Sequence, residues 1–442
     1  MVGTLDDFLT RAARFRSPRT GLVRNVLELF REPEDPYIFF AATMRATTSR
    51  YDLPVDMPAR NGGAGLTPDQ ALAAALGETI ERYACSVYHP DELILASYGE
   101  LEGEAVHPRD LNPYAESQYA NPRFPFRQMT EASRLRWMQG VRMSDSAPIW
   151  YPAGLAYIPY DWPDDELMIA PGVSTGMALG MSQIVAALAG ICEVIERDAI
   201  MLHWWNRLPA PEVEVEPDSP VGRLMTERFS VPGVRYRLFD ITSDIGVPTL
   251  FCTVEEVDVH EKGCAIAVGA ATRPDPAQAA VKALVEAAQT HHFGRHLVRR
   301  DGHIPLEDGF RNVQGLDDHV RVYARPDMRH AFDFLHKNGR SVRLASLPNL
   351  EAGDQRTTLR RLVERVRSAG LEPIALDLTP PDVADEGLVA IKVAVPGMVD
   401  LNPWHALRWL GCRRLYEGPV RMGYRSTPST EADLNPLPHP FP

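Results

Sequence analysis

The sequence is short of cysteine, of long apolar runs and of positive charge. Its five cysteines form no C-x-x-C pair, which argues against a disulfide framework or a zinc site and favours reduced, structural thiols. No apolar run approaches the roughly 18–20 residues of a membrane span, and the first residues lack the basic-then-apolar plan of a signal peptide. A formal net charge of −13 argues against a nucleic-acid backbone as the main partner. These absences predict a cytoplasmic protein that binds neither membrane nor nucleic acid.

The remaining composition is that of an ordinary globular protein. With 442 residues, the chain is long enough to bury a large core in one or two domains. Strand-like segments alternate with helical ones, and no linker clearly divides them. The sequence therefore predicts a single α/β domain at residues 1–425, with mixed β-sheets and an internal duplication, and a proline-rich tail at residues 426–442.

The duplication is clearest in two predicted helices that carry the pattern E-x-x-E-R. Residues three apart share one face of a helix, so each helix presents a pair of carboxylates. The other faces are apolar, which predicts buried helices. The pattern comprises Glu78, Glu81 and Arg82 in the first helix, and Glu193, Glu196 and Arg197 in the second.

Two arginines do not balance four buried glutamates, because unpaired buried charge is very costly. A hard cation such as Mg²⁺, which takes oxygen ligands and often shares them with phosphates, would neutralise the excess. The alternative is that both stretches form ordinary salt bridges. Because the pattern occurs twice, a metal site is the favoured interpretation.

A glycine-rich stretch precedes each of these helices, at residues 61–65 and 172–180. Both are predicted to be loops that run into capped helices, with Thr67 and Ser182 as N-caps and Gln70 completing a capping box. Free N–H groups and the positive end of a helix dipole suit a phosphate. Glycine before a helix is also common in simple turns, so the signal depends on the neighbouring carboxylates.

A third predicted helix, at residues 276–296, places Lys282, Glu286 and Gln289 on one face by their i, i+4, i+7 spacing. Considered alone, this spacing favours an ordinary surface ion pair.

Together, these stretches resemble the YcaO superfamily, in its azoline-forming cyclodehydratase branch. The resemblance runs from about residue 20 to the last residue. It includes the P-x-P-x-P pattern of the last residues, which without the family would indicate a polyproline segment or a disordered end. The matching stretches are 70–83, 193–200, 204–208, 282–289, 376–383, 395–399, 410–416 and 436–442.

The resemblance implies one YcaO-type domain with duplicated glycine-loop and E-x-x-E-R units, which acts as an ATP-dependent enzyme on a ribosomally made precursor peptide. A Cys, Ser or Thr side chain attacks the preceding amide carbon. The amide oxygen is phosphorylated and leaves as phosphate, which produces a thiazoline or (methyl)oxazoline.

The resemblance also implies roles for individual residues. The terminal carboxylate of Pro442, in a tail that reaches toward the active site, would assist proton transfer. The other implied residues are Glu78, Glu81, Glu193 and Glu196 as Mg²⁺ ligands, and Ser174, Arg82, Arg197, Lys282, Glu286 and Gln289 as nucleotide-binding residues.

The sequence departs from the family at several nucleotide-side positions. Ala64 stands where the family's G-K-G has lysine, and Met181 and Val185 replace polar positions of the pattern G-N-x-x-x-E-A. Lys282 stands where arginine is usual. Two interpretations remain open: a divergent ATP site with substitutes elsewhere, or a catalytically degenerate scaffold. Thioamide or macroamidine formation is a third alternative, and the proline-rich tail argues against the thioamide.

The resemblance predicts partners as well. The chain contains no obvious leader-binding module, so an E1-like or ThiF-like protein is expected to bind the leader of the precursor peptide. An FMN-dependent dehydrogenase that oxidises azolines to azoles is a further expected partner. A homodimer or a hetero-oligomer is the expected assembly.

Overall fold

The computed structural model describes residues 4–46 and 60–442. The strands are β1 (Val23–Leu29), β2 (Phe39–Arg45), β3 (Arg60–Gly65), β4 (Ile94–Ala96), β5 (Leu135–Arg142), β6 (Pro148–Pro152), β7 (Met177–Gly180), β8 (Glu212–Glu214), β9 (Val234–Asp240), β10 (Thr249–Glu256), β11 (Ile266–Thr272), β12 (Ser341–Arg343), β13 (Ile374–Asp377) and β14 (Val389–Ala394). The helices are α1 (Leu5–Ala12), α2 (Pro68–Ala84), α3 (Glu116–Tyr119), α4 (Ala153–Ala156), α5 (Gln183–Asn206), α6 (Pro220–Arg228), α7 (Pro276–Asp301), α8 (Leu316–Tyr323), α9 (Gln355–Ser368), α10 (Pro381–Asp385) and α11 (Arg413–Arg421).

The strands form three sheets, which confirms the predicted α/β class with mixed sheets. One sheet has the order β1-β2-β3, another β11-β10-β9-β8-β12, and the third β4-β5-β13-β14-β7, with β6 paired to β5. Pairing is antiparallel except between β8 and β12, which run parallel. In each sheet one terminal strand leads into a long helix: β3 into α2, β7 into α5, and β11 into α7.

The helix that follows each terminal strand packs closely on it, and a glycine permits the close approach. A Cβ atom added to Gly63 would lie 2.5 Å from the carbonyl oxygen of Ala71 on α2. The same addition at Gly180 would meet the backbone nitrogen of Ala186 on α5 at 2.7 Å. At Gly269 of β11, the added atom would clash with the backbone of α7. These three glycines therefore allow close strand–helix contact.

The three strand–helix units contact one another in a cyclic order. In addition to its own strand, α2 contacts β7, α5 contacts β11, and α7 contacts β3. Each long helix thus bridges two sheets, and the three helices are held at one junction. The predicted duplication comprises two of these units, and the structure adds β11–α7 as a third.

The predicted helix caps are largely confirmed. Thr67 Oγ1 accepts the Gln70 N–H at 3.2 Å, and Ser182 Oγ accepts the Val185 N–H at 3.3 Å. The Gln70 side chain differs from a capping box, because its Oε1 accepts the Leu66 N–H at 2.9 Å, one residue before the cap.

The prediction of glycine loops was wrong for the first stretch and for the end of the second, while residues 172–176 do form a loop. Residues 61–65 lie within β3, which pairs with β2, and the end of the second stretch forms β7, which pairs with β14. Residues 166–169 are irregular, although Ile169 is completely buried. A single 3-10 turn at His405–Leu407 precedes α11.

The proline-rich tail is packed into the protein, so the disordered-end interpretation is wrong. The backbone N–H of Asn435 donates to the Trp205 carbonyl at 2.7 Å. His319 Nδ1 lies 2.7 Å from the His439 carbonyl oxygen, and the two imidazole rings stack with centroids 3.9 Å apart. Phe441 is only 4% exposed. Within the described part of the chain, no helix has the length and apolar character needed to cross a membrane.

Candidate active site

The four glutamates of the two E-x-x-E-R patterns each face a backbone amide of a neighbouring strand or its flank. Glu193 Oε2 accepts the Gly176 N–H at 3.3 Å, and Glu196 Oε2 accepts the Thr272 N–H at 2.9 Å. Burial raises the pKa values of Glu78 and Glu81, and hydrogen bonds from the backbone amides of Gly62 and Leu179 oppose this increase. Glu81 and Glu196 therefore contact the strand of the next strand–helix unit, β7 and β11 respectively. Glu78 and Glu193 contact the backbone of their own unit.

Glu81 illustrates the electrostatic conflict at the junction. Its pKa is raised to about 8, mainly by burial and also by the nearby negative charges of Glu193 and Glu78, against the opposing effect of Arg82. The pKa of Glu78 is also raised, first by burial and then by Glu193 and Glu286, again opposed by Arg82. Carboxylates from α2, α5 and α7 therefore share one electrostatic environment.

Glu196 is the most deeply buried of the four glutamates. Its pKa is raised to about 7, mainly by burial and also by the charges of Glu286 and Glu193. Arg197 opposes it: Nη1 lies 2.9 Å from Glu196 and Nη2 lies 3.4 Å from Glu193. On α2, Arg82 lies 3.8 Å from Glu78. The predicted salt bridges exist, yet they leave the pKa values of three glutamates raised.

The third helix brings its predicted residues to the same place. Glu286 forms an ion pair with Lys282, and its charge acts on both Glu78 and Glu196. A Cβ added to Gly62 would lie 3.2 Å from Nε2 of Gln289. The Lys282–Glu286 pair is partly exposed, as an ordinary surface pair would be, but its position beside the other carboxylates makes it part of the cluster.

The sequence-based prediction missed two charged residues, Lys392 on β14 and Asp400. Lys392 is 4% exposed, and its Nζ donates to the Val173 carbonyl at 2.6 Å. Burial lowers its pKa, while Asp400, Cys85 and Glu193 oppose that change. Burial raises the pKa of Asp400, and a hydrogen bond with Thr175 and the charge of Lys392 oppose the increase. One sequence signal was present: Lys392 interrupts an otherwise apolar strand.

The cluster carries an excess of negative charge. It contains six carboxylates and four cationic groups: Glu78, Glu81, Glu193, Glu196, Glu286 and Asp400 against Arg82, Arg197, Lys282 and Lys392. Because carboxylates repel one another in a poorly solvated place, this excess favours the binding of cations.

The glutamate faces of α2 and α5 remain partly accessible to solvent. Ala74 and Ala189, each one turn before a site glutamate, are exposed. The Glu78 side chain keeps 38% of its surface accessible, and the Glu193 side chain keeps 26%. The helices were predicted to be buried nearly all round, and this face differs because no other part of the described chain covers Ala74 and Ala189.

The donor set fits Mg²⁺ that is shared with phosphates. Among the described residues, Glu32, Asp35 and His292 form the one group of three ligand-type side chains whose ligating atoms all lie within 4.8 Å of one another. Arg295 and Arg299 pair with its carboxylates, which makes it an ion-pair network. The ligating atoms of the site glutamates do not all lie this close together. Mg²⁺ does not require such a cluster, because one or two carboxylates, waters and phosphate oxygens complete its coordination.

The remaining predicted residues lie around this cluster. Ser174 is half-buried beside Thr175, and its carbonyl oxygen accepts the Met177 N–H at 2.9 Å. Pro442 is exposed and follows Phe441, whose ring centroid lies 5.9 Å from the Arg197 guanidinium carbon.

Three apolar residues replace polar residues of the family pattern, and two of them pack against hydrophobic clusters. Ala64 contacts the cluster that includes Phe40 and Ala283, and Met181 contacts the one that includes Leu76. Val185 is half-buried. The apolar side chains are therefore accommodated by packing.

A family model described as YcaO cyclodehydratase, ATP- and Mg²⁺-binding, matches residues 62–399. The chain belongs to the YcaO cyclodehydratase family. The family match confirms the resemblance drawn from the sequence, and ATP and Mg²⁺ are the cofactors of this family. The matched range includes α2, α5 and α7 with all their site residues.

Two curated relatives have no characterised activity. A protein of Methanothermobacter thermautotrophicus is 28% identical over 342 residues, which cover 76% of this YcaO chain and 80% of the relative. A Rhizobium leguminosarum bv. trifolii protein, named for its position in the tfuA 3′ region, is 26% identical over 359 residues, 77% of each chain.

Solved structures share the fold. A heterocyclase in complex with substrate and cofactor superposes with a TM-score of 0.81 at 24% identity, over 99% of this chain and 58% of its own. The heterocyclase TruD gives 0.68 at 26% identity, over 85% and 51%. YcaO from Methanopyrus kandleri, bound with AMPPCP and Mg²⁺, gives 0.63 at 22% identity, over 90% and 91%. The chain thus spans only about half to three-fifths of the two heterocyclases.

Proposed function

We propose that this chain is an ATP- and Mg²⁺-dependent cyclodehydratase that converts Cys, Ser or Thr of a ribosomally made peptide into thiazoline or (methyl)oxazoline. The convergence of the two E-x-x-E-R pairs with Glu286 and Gln289 of α7 carries the proposal. A peptide amide oxygen is a poor leaving group, so ring closure with its loss requires that oxygen to be phosphorylated. When bound, Mg²⁺–ATP would supply the phosphoryl group and the compensating positive charge.

Each group of residues has a proposed task. Glu78, Glu81, Glu193 and Glu196 hold the metal, and the backbone amides that face them fix their orientation. Arg82, Arg197, Lys282, Ser174, Glu286 and Gln289 position the nucleotide. Lys392, which was absent from the sequence-based prediction, supplies a buried positive charge near Glu193 and Asp400.

The tail completes the proposal. Residues 1–425 form the catalytic domain, and residues 426–442 form a tail that ends beside it. Phe441 stacks near Arg197, and Pro442 would assist proton transfer through its carboxylate. The proposed partners are the precursor peptide, an E1-like or ThiF-like leader-binding protein and an FMN-dependent dehydrogenase, in a homodimeric or hetero-oligomeric assembly in the cytoplasm.

Calorimetric titration of the chain with ATP and Mg²⁺ tests the nucleotide site. We expect micromolar binding that Glu78→Gln and Glu196→Gln each abolish, because both glutamates belong to the charge cluster. Glu227→Gln is the matched control, since Glu227 is exposed on α6 and makes the same change of charge away from the site. Equal binding by all three variants would place the nucleotide elsewhere.

Mass spectrometry of a peptide product tests the ring chemistry. With ATP, Mg²⁺, the leader-binding partner and the precursor, each ring should remove one water from the peptide, and a Cys, Ser or Thr to Ala change should prevent it. A macroamidine would also lose water but would survive that change. A thioamide would exchange oxygen for sulfur.

A non-catalytic scaffold is the second candidate, and one observation favours it. Ala64 and Met181 pack against hydrophobic clusters at positions where the family has polar groups. If the chain fails to bind ATP even with partner and precursor present, the scaffold interpretation is the better one.

A further inference from the structure

A cavity of about 860 Å³ lies beside α9, and the last residue of α11 and residues 244–245 complete its lining away from the E-x-x-E-R helices. Its wall carries three arginines, Arg361 and Arg365 from α9 and Arg421 from α11. Arg361 and Arg365 are four residues apart and share one face of their helix. Its apolar lining includes Ile245 and Leu350.

The helix that forms this wall is strongly basic in an acidic protein. Among its fourteen residues, α9 has five exposed arginines and a single acidic residue, Glu364, while the whole chain has a net charge of −13. Among the described residues, no carboxylate lies within ion-pair distance of Arg365. A Cβ added to Gly246 would lie 3.3 Å from Arg365 Nη1, so this guanidinium reaches across the cavity rim. Its positive charge is available to a ligand.

The other arginines of the wall are held in place by backbone carbonyls. Arg361 Nη1 donates to the Glu351 carbonyl at 3.1 Å, and Arg421 Nη1 donates to the Ala369 carbonyl at 3.0 Å. These hydrogen bonds orient the guanidinium groups. Arg421 Nη2 also lies 3.8 Å from Glu417 Oε2, so part of its charge is compensated, and Arg361 and Arg365 carry most of the positive charge of the wall. The cavity therefore presents positive charge on a fixed frame.

Two acidic residues of the cavity lining, Asp244 and Glu364, indicate which ligands fit the cavity. Asp244 is already paired with Arg414, which also pairs with Asp198 on α5 at 2.8 Å. Glu364 stands between the arginines and would repel a continuous phosphodiester backbone. The apolar lining offers contacts to aliphatic side chains. A ligand that alternates carboxylates with apolar groups matches this surface better than a polynucleotide does.

We propose that this cavity binds a peptide segment rich in aspartate, glutamate and aliphatic residues. Carboxylates of the segment pair with Arg361, Arg365 and Arg421, and its apolar side chains pack on Ile245 and Leu350. The site is separate from the ATP cluster, although Asp198 directly follows Arg197 in the chain. Binding at this cavity does not require turnover of ATP.

The test is fluorescence anisotropy at low ionic strength, without nucleotide, with a short labelled peptide of Asp, Glu and Leu. Arg365→Gln should weaken binding about two- to fivefold, as expected for one exposed ion pair, and Arg365→Glu should weaken it more. Arg356→Gln is the matched control, because Arg356 is exposed on the same helix and lies on the opposite face by its nine-residue spacing. It should leave the affinity unchanged.

Further probes distinguish an acidic-peptide site from general charge attraction and from a nucleic-acid site. A peptide with Asn and Gln in place of the acids should bind weakly, and added salt should reduce binding of the acidic one. Equal effects of Arg365→Gln and Arg356→Gln would overturn the proposal in favour of general charge attraction. Tighter binding of a single-stranded oligonucleotide of equal charge would overturn it in favour of a nucleic-acid site, and the absence of acidic-peptide binding would refute it. Circular dichroism verifies that each variant is folded.

Discussion

The Glu196 carboxylate on α5 accepts the Thr272 N–H at the end of β11, with 2.9 Å between the two atoms. This hydrogen bond joins the second strand–helix unit to the third. It fixes one oxygen of the glutamate, while Arg197 contacts the other at 2.9 Å. Even with both partners the pKa of Glu196 is raised to about 7, because the side chain is buried among other carboxylates. The fold therefore holds these carboxylates close together. When they are ionised, this arrangement is energetically costly unless a further cation is bound.

Binding of Mg²⁺ and ATP should accordingly strengthen as the pH rises from about 6 to about 8. Protons compete with the metal for a carboxylate whose pKa is near 7. Deprotonation of this one group should increase affinity about tenfold over that range. Calorimetry at three pH values measures the effect, and an affinity that is flat or falls with pH would contradict it.

The same raised pKa values predict the opposite trend for the stability of the chain without metal. Between the unfolded pKa of about 4.5 and the folded values near 7 and 8, the folded state binds more protons than the unfolded state. The contribution of Glu196 and Glu81 to the unfolding free energy therefore falls as pH rises through this window. Thermal unfolding in a chelator should show a lower Tm near pH 8 than near pH 6, and Mg²⁺ with ATP should reduce the difference.

Much of the site was predictable because it depends on local periodicity. The three-residue spacing of Glu78 and Glu81, and of Glu193 and Glu196, fixes which helix face they share. The caps at Thr67 and Ser182 depend on neighbours in sequence, so they were predictable too.

Features that depend on tertiary contacts were missed. The glycine stretches form β3 and β7 because distant strands pair with them, and Gly63 is needed for contact with α2, not for a turn. Lys392 is more than a hundred residues away from the E-x-x-E-R patterns, and only the pairing of β14 with β7 brings it near Glu193. Backbone donors such as the Thr272 N–H leave no mark in a sequence.

Replacement of Lys392 by Met should weaken binding of ATP more than binding of Mg²⁺. Lys392 is a buried cation beside Glu193 and Arg82, so its loss makes the cluster more negative, which repels phosphates and not the metal. A lost charge-assisted contact corresponds to about a ten- to hundredfold change in nucleotide affinity. Titrations with ATP–Mg²⁺ and with Mn²⁺ alone as a spectroscopic substitute separate the two effects. Lys262→Met, on an exposed loop, is the control, and a parallel loss of metal and nucleotide binding would instead indicate general disruption of the site.

Replacement of Gly63 by Ala should destabilise the protein by about 1–3 kcal/mol, as overpacking does. The new Cβ would meet the Ala71 carbonyl oxygen of α2 at 2.5 Å, and backbone cannot move aside as a flexible side chain can. Gly99→Ala is the matched control, since no heavy atom lies within 4 Å of its added Cβ, and its effect should stay within about 0.5 kcal/mol. Urea unfolding measures both variants. Similar midpoints would show that α2 does not depend on this close approach.

Substitutions of Phe441 test whether the C-terminal tail stabilises the protein and orients the nucleotide site. The centroid of its ring lies 5.7 Å from the ring centroid of Phe251. The same centroid lies 5.9 Å from the guanidinium carbon of Arg197. Because the ring is buried, Phe441→Ala should cost about 3–5 kcal/mol of unfolding free energy.

If the ring also orients Arg197, Phe441→Leu should restore most of the stability while ATP affinity remains reduced, because leucine fills space but offers no aromatic face to the cation. Pro436→Ala, an exposed position in the same tail, should change neither quantity. Denaturant unfolding and ATP titration on the same samples separate the two roles. Full recovery of ATP affinity in the leucine variant would limit the contribution of Phe441 to packing.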